Sequence, residues 1–255
     1  MKKVTALYGS ARKQHTYNAV RQLLDSIRSY GDVDSEIIAL SDYALETCKG
    51  CCVCFIKGEE FCPLKDDRDE LIKKMMASDG VIFASPLYSF QVSAIMKTFL
   101  DRLGFVFHRP RFFDKVFSSI VTQGIFGGEE VVEYLDFVGG GLGFNVVRGS
   151  CITVLDPMTE KAQQKVNDIL AAHSRRFYEG LLRSTNPVPS HFNLMIFRKA
   201  RTSIRLMLDE TDRDYRYYRD QGWFESDYFY PTRLNLLKRA AGNLFDYTAS
   251  KSAGK

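Results

Sequence analysis

An α/β fold built on a doubly wound, five-stranded parallel sheet is the architecture this sequence predicts, and three observations predict it. Through roughly the first 185 residues, short apolar, partly β-branched segments alternate with segments of helical periodicity. The apolar segments, such as Val4-Thr5-Ala6-Leu7-Tyr8 and Val81-Ile82-Phe83-Ala84, are nearly continuous, as strands covered on both faces require. Asp79-Gly80 stands where a helical pattern gives way to a strand.

Strands are expected over residues 2–8, 35–40, 80–85, 116–123 and 145–154, and helices near 17–30, 67–78, 91–104, 129–142 and 158–182. In the first helix Val20, Leu23, Leu24 and Ile27 share one face. The run Asp66-Asp67-Arg68-Asp69-Glu70 reads as a charged first helical turn, favourable to the helix dipole. Ligands of such sheets sit beyond the carboxyl ends of the strands, which singles out loops 9–16, 41–65, 86–90 and 123–128. Pro187 and Pro189 mark a boundary, so residues 1–186 are expected as one domain and 187–255 as a C-terminal arm. The arm has a helical stretch to about Leu208, then Tyr215, Tyr217, Tyr218, Trp223, Phe224, Tyr228, Phe229 and Tyr230. Aromatics at that density call for a cover, either the arm's own domain or a partner subunit, ahead of a membrane surface.

With 255 residues and 45% hydrophobic composition, the chain can build a sizeable core. No apolar run approaches the ~18 residues of a membrane span. The amino terminus reads as a strand and not as a signal peptide, so a cytoplasmic location is expected. The net charge of +4 comes from residues 191–255, with 12 basic against 8 acidic side chains; the rest holds 23 of each. That is too mild for a nucleic-acid partner. His15, His108, His173 and His191 fall in no hydrolytic or HExxH arrangement and read as surface or satisfied interior residues, with His15, in the first loop, the one exception placed to lie near a phosphate.

The first loop reads Gly9-Ser10-Ala11-Arg12-Lys13-Gln14-His15-Thr16. Gly, Ser and Thr allow close approach and hydroxyl bonds, the following helix adds unpaired N–H groups, and Arg12 and Lys13 add charge. The guest this favours is a phosphate monoester, against a plain strand-to-helix turn. Neither GxxxxGK[ST] nor GxGxxG is present. After the third strand comes Ala84-Ser85-Pro86-Leu87-Tyr88-Ser89-Phe90. Pro86 fixes the backbone and Tyr88 offers a planar face, a wall suited to a planar cofactor; taken alone it is equally a Pro loop with a core tyrosine.

Taken together, Gly9–Arg12, Ser85–Ser89 and Met96-Lys97-Thr98-Phe99-Leu100-Asp101-Arg102 make a specific pattern. It resembles the NAD(P)H-dependent FMN reductase group of flavodoxin-like proteins, over about residues 2–185. The resemblance implies that Ser10, Arg12 and Thr16 hold the FMN phosphate. It implies that Pro86, Leu87, Tyr88 and Ser89 lie along the isoalloxazine, and that Thr122, Gln123 and Gly124 make a third contact. Ala11 and His15-Thr16-Tyr17 stand where the group more often has Pro and Asn-Thr. The implied activity is hydride transfer from NADH or NADPH to FMN and onward to a small-molecule or protein acceptor. No side-chain acid or base is obligatory, and Tyr88 is a positioning residue. Members of the group tend to pair, so a homodimer or higher homo-oligomer is expected.

Cys48, Cys51, Cys52, Cys54 and Cys62 crowd into fifteen residues. Without Cys52 the spacing is C-x2-C-x2-C-x7-C, which points to soft-metal ligation more than to disulfides. The loop also resembles the compact cysteine motif of the iron–sulfur flavoproteins. That resemblance implies a [4Fe–4S] cluster on Cys48, Cys51, Cys54 and Cys62 and an alternative role as an electron carrier. Reduced structural or redox thiols and a zinc site remain alternatives. Cys151 reads as a small core residue.

Overall fold

In the computed structural model, which describes residues 1–253, the apolar segments become parallel strands. They are β1 (Lys2–Tyr8), β2 (Val33–Ala39), β3 (Gly80–Pro86), β4 (Val116–Gln123), β5 (Asn145–Val146) and β6 (Ser150–Thr153). The helices are α1 (His15–Tyr30), α2 (Val53–Ile56), α3 (Arg68–Met76), α4 (Ala94–Arg102) and α5 (Gly104–His108). They continue as α6 (Gly128–Leu142), α7 (Glu160–Leu181), α8 (His191–Met207), α9 (Arg213–Asp220) and α10 (Leu236–Ala253). The sheet order is β2-β1-β3-β4-β5, with β6 also paired to β4. This is the flavodoxin-like doubly wound order, whose switch point lies between β1 and β3.

The chain forms two compact units, one of residues 1–48, 66–104 and 111–184, the other of residues 49–65, 105–110 and 185 onward. In the first, strand alternation divides the core between the two faces of the sheet. Val4, Ala6, Tyr8, Ile82 and Ala84 pack with Val20, Leu23 and Ile27 of α1 and Leu170 and Phe177 of α7. On the other face, Phe83 meets Phe99 and Phe117, and Phe117 meets Phe144. Gly9 is required by close approach, because a Cβ there would lie 2.7 Å from Met96 Cβ and Ser93 Oγ. It lets the start of α4 settle against the end of β1.

Three local expectations are corrected. The strand expected over 145–154 is broken at residues 147–149. Asp136 accepts hydrogen bonds there from the Ser119 hydroxyl (2.7 Å) and the Gly149 N–H (2.9 Å). Gly149 allows the break, since a Cβ would sit 2.1 Å from Ser119 Oγ. The helix expected over 91–104 is Ala94–Arg102, followed by the separate helix Gly104–His108. Asp66 is not part of a solvated helical turn. It lies in a buried ion pair, with Arg102 Nε and Nη2 donating to its carboxylate at 3.0 and 2.9 Å. Burial alone would raise the Asp66 pKa, but the guanidinium and the Glu46 N–H hold it below the ordinary carboxylate range.

In the second unit the aromatic segment packs on itself. Trp223 contacts Tyr217, Tyr218 and Phe229, and Phe197 of α8 contacts Tyr228 and Phe229. The Trp223 Nε1–H donates to the Phe229 carbonyl at 3.1 Å. Helices α8 and α10 are joined by Arg198, which donates to Asp246 at 2.8 Å and also pairs with Asp227.

Candidate functional site

At the carboxyl ends of β1, β3 and β4, three loops converge on one cleft. Ser10, Arg12, Gln14, His15 and Thr16 supply one wall, and Pro86, Leu87 and Tyr88 a second. Thr122, Gln123 and Gly124 supply the third, with Val154 from the segment after β6. Every flavin-contact residue named from the sequence lines this cleft except Ser89, as does His15, while Gln14 and Val154 are additions. Gln14 and His15 open α1, where the helical pattern was only expected from Tyr17, and Val154 reaches the cleft through the sheet alone.

The hydroxyl groups are largely committed to one another. Ser10 Oγ accepts from the Arg12 N–H (3.3 Å) and donates to the Arg12 carbonyl (3.2 Å), closing the turn on itself. Thr16 Oγ1 and Thr122 Oγ1 share a buried hydrogen bond of 2.7 Å. The Gln123 amide donates to Thr153 Oγ1 (3.0 Å) and accepts from the Gly128 N–H (2.7 Å), so its side chain braces the loop. These bonds make the wall stiff. The donors that remain on this wall include Arg12, His15 and the N-terminal N–H groups of α1, which has neither an acid in its first turn nor a side-chain cap. This donor set suits a phosphate monoester, and the Pro86–Tyr88 wall suits a planar ring.

Ser89 is not among the residues that line the cleft. Tyr88 and Gln91 exchange two hydrogen bonds of 2.9 Å around Ser89 and Phe90, whose φ angles are 48° and 60°. Non-glycine residues rarely occupy this left-handed region. The tight turn carries Ser89 to its exposed tip, and Phe90, 60% exposed, touches the Phe126 ring at 5.4 Å.

The cysteines behave differently from the flavin loops. Cys48, Cys51 and Cys52 are exposed, Cys54 is half-buried and Cys62 is buried. Among the described residues, no three His, Cys, Asp or Glu side chains converge on a point that could hold a metal. What organises the segment is a residue that spacing could not reveal. The buried Arg109 donates to the Cys54 carbonyl (2.8 Å) and to Glu59 (2.9 Å), and pairs with Asp214 of α9. His108 Nδ1 lies 2.7 Å from the same Asp214, and Phe55 stacks on the His108 ring. Cys151 is buried in the strand, and desolvation pushes its thiol up to about 12.

A parallel sheet of order 2-1-3-4-5 with a phosphate-type loop at its switch point defines the flavodoxin-like class. Residues 2–155 match the family of NADPH-dependent FMN reductases, and the chain belongs to that family. It is an FMN-dependent oxidoreductase. An iron–sulfur flavoprotein of Archaeoglobus fulgidus is 31% identical over 87% of this chain and 99% of its own length. One from Methanocaldococcus jannaschii is 43% identical over 39% of this chain, about half (51%) of that protein's length. The crystal structure of RosB with bound 8-demethyl-8-formylriboflavin-5′-phosphate shares the fold, at a TM-score of 0.54, 15% identity and 92% coverage of both chains. None of the described helices is long and apolar enough to cross a membrane.

Proposed function

We propose that the cleft between loops 9–16, 86–90 and 123–128 binds FMN and that the enzyme accepts hydride from NADH or NADPH and reduces a small-molecule or protein acceptor. The convergence of these three loops at the sheet's switch point carries the reading. Arg12 and the start of α1 bind the phosphate, Pro86, Leu87 and Tyr88 bound one side of the ring, and Gly124 gives the third loop room to approach it. Bound FMN supplies the hydride-accepting centre. The protein binds, orients and shields it, and no side-chain acid or base is required. Tyr88 orients the ring. The setting is cytoplasmic, and two subunits together shape the flavin site.

The cysteine segment and the names of the relatives favour a second reading, an iron–sulfur electron carrier serving protein partners. One experiment addresses both: an absorption spectrum of protein purified without oxygen, with iron and acid-labile sulfide assayed on the same sample and NADPH added afterwards. Flavin bands that bleach with NADPH, without iron, are the expected result. Flavin bands with about four irons per chain would replace the first reading with the second. Absence of flavin, with none taken up from added FMN, would overturn both.

A further inference from the structure

The two loops that line the cleft through Leu87, Tyr88 and Gly124 also meet at a pair of exposed rings, Phe90 and Phe126. Their centroids are 5.4 Å apart and their planes tilted by 40°. Ile125 is exposed as well. Holding Phe90 there is costly, because it and Ser89 are both left-handed, in the turn closed by the Tyr88–Gln91 bonds. Gly127, with φ 92°, gives the Phe90 ring its seat: a Cβ there would lie 2.7 Å from that ring and 3.7 Å from Leu87. Such strain persists only where the surroundings over-determine it, and it concentrates at ligand clamps. Residues 86–92 and 122–128 carry no charged side chain, in a chain with 26% charged residues. The charges that follow the second loop are acidic, Glu129 and Glu130 in the first turn of α6. This surface offers ring contacts and apolar burial, and its loops hold no cation to draw an anion.

Resting on the reading of the cleft as an FMN site, we propose that Phe90 and Phe126 form the docking platform for the electron acceptor and select an uncharged, planar, conjugated ring over a charged acceptor. The platform continues the cleft wall, since Leu87 belongs to the wall and packs at the Phe90 seat. A whole aromatic side chain buries about 150–250 Å². The exposed parts of two such rings and one isoleucine fall well short of the roughly 800 Å² per partner of a stable protein interface. A small planar ring is matched to that area. A quinone has the required chemistry, and the overall step balances: NADPH, the quinone and one proton give NADP+ and the hydroquinone. Two electrons leave the nicotinamide, and both quinone carbonyl oxygens end as hydroxyls.

The test uses FMN-loaded, oxidised protein and menadione as the probe, with binding read by equilibrium dialysis in the absence of nicotinamide. Phe90→Asn, a residue that tolerates the left-handed backbone, and Phe126→Ser should each weaken menadione about tenfold. Phe126→Tyr keeps the ring and should bind as wild type does. In turnover with NADPH, the ratio of kcat/KM for menadione to that for ferricyanide should fall about tenfold in the first two variants, through KM for menadione. Unchanged menadione binding in both would overturn the proposal. Equal losses for menadione and ferricyanide, or a parallel loss of FMN affinity, would do so too, by marking a merely structural role. A change of oligomeric mass in Phe90→Asn or Phe126→Ser would assign the rings to a subunit contact instead. Wild type that takes up FMN but not menadione removes the platform and keeps the cleft; wild type that takes up no FMN removes both.

Discussion

At the level of single side chains, the cleft and the core respond to quite different changes. Arg12 is exposed, so Arg12→Ala should leave the fold intact and weaken FMN by about 1–3 kcal/mol, the range for a charge-assisted bond. Equilibrium titration at two salt concentrations checks this, and the loss should shrink at high salt. His173 is a buried core residue, with its Nε2 2.7 Å from Ser118 Oγ. Burial, followed by the nearby Arg176, lowers its pKa from 6.5 to about 3. A folded-state pKa below the unfolded one means that the unfolded chain takes up the proton first. His173 therefore carries no penalty above pH 6.5, and stability falls progressively as pH drops from 6.5 toward 3, by up to about 1.4 kcal/mol per pH unit. Urea unfolding at pH 7 and pH 5 should show a larger acid loss in wild type than in His173→Gln.

Among the elements, α6 provides opposite outcomes for one kind of substitution. Gly139 packs directly on β4, and a Cβ there would fall 2.3 Å from the Phe117 ring. Gly140, the next residue, would meet only Val146 at 3.8 Å, an ordinary contact. Gly139→Ala should destabilise by about 1–3 kcal/mol through overpacking. Gly140→Ala should stabilise by roughly 0.5–1 kcal/mol through a better helix propensity and a less flexible unfolded chain. Thermal melts of the two variants decide the matter, and a same-sign result would refute the packing argument. The break between β5 and β6 belongs to this scale as well. The residues around Gly149 read as one continuous strand because nothing local shows that Asp136, thirteen residues earlier, claims its N–H.

For the whole molecule, the cysteine segment is set by ion pairs distant in sequence. Arg109 is fully buried and bonded to Glu59, the Cys54 carbonyl and Asp214. Removing Asp214 takes one charged partner from Arg109 while Glu59 stays beside it, so Asp214→Ala should cost about 1–3 kcal/mol. Proteolysis of the native protein should then cut first within residues 49–65, and an unchanged cleavage pattern would count against Arg109 as the organising group.

The sequence by itself determined the parallel sheet, the order of strand and helix, and the three loops at the cleft. These follow from apolar continuity, helical spacing and the placement of Gly9 and Pro86, all of which are local and survive in one dimension. Arg12, Pro86 and Tyr88 were legible for that reason. The tertiary structure decided what the side chains do once they meet. It paired the Thr16 and Thr122 hydroxyls with each other, set Ser89 in a left-handed turn and brought Asp156 to His15. It also folded the aromatic arm around Trp223 and tied Cys54 to Asp214 through Arg109. Such outcomes depend on which buried polar and charged groups find partners across long stretches of chain. Residue spacing carries no record of them, because the free energy that selects each pairing exists only when the distant partners are already packed together.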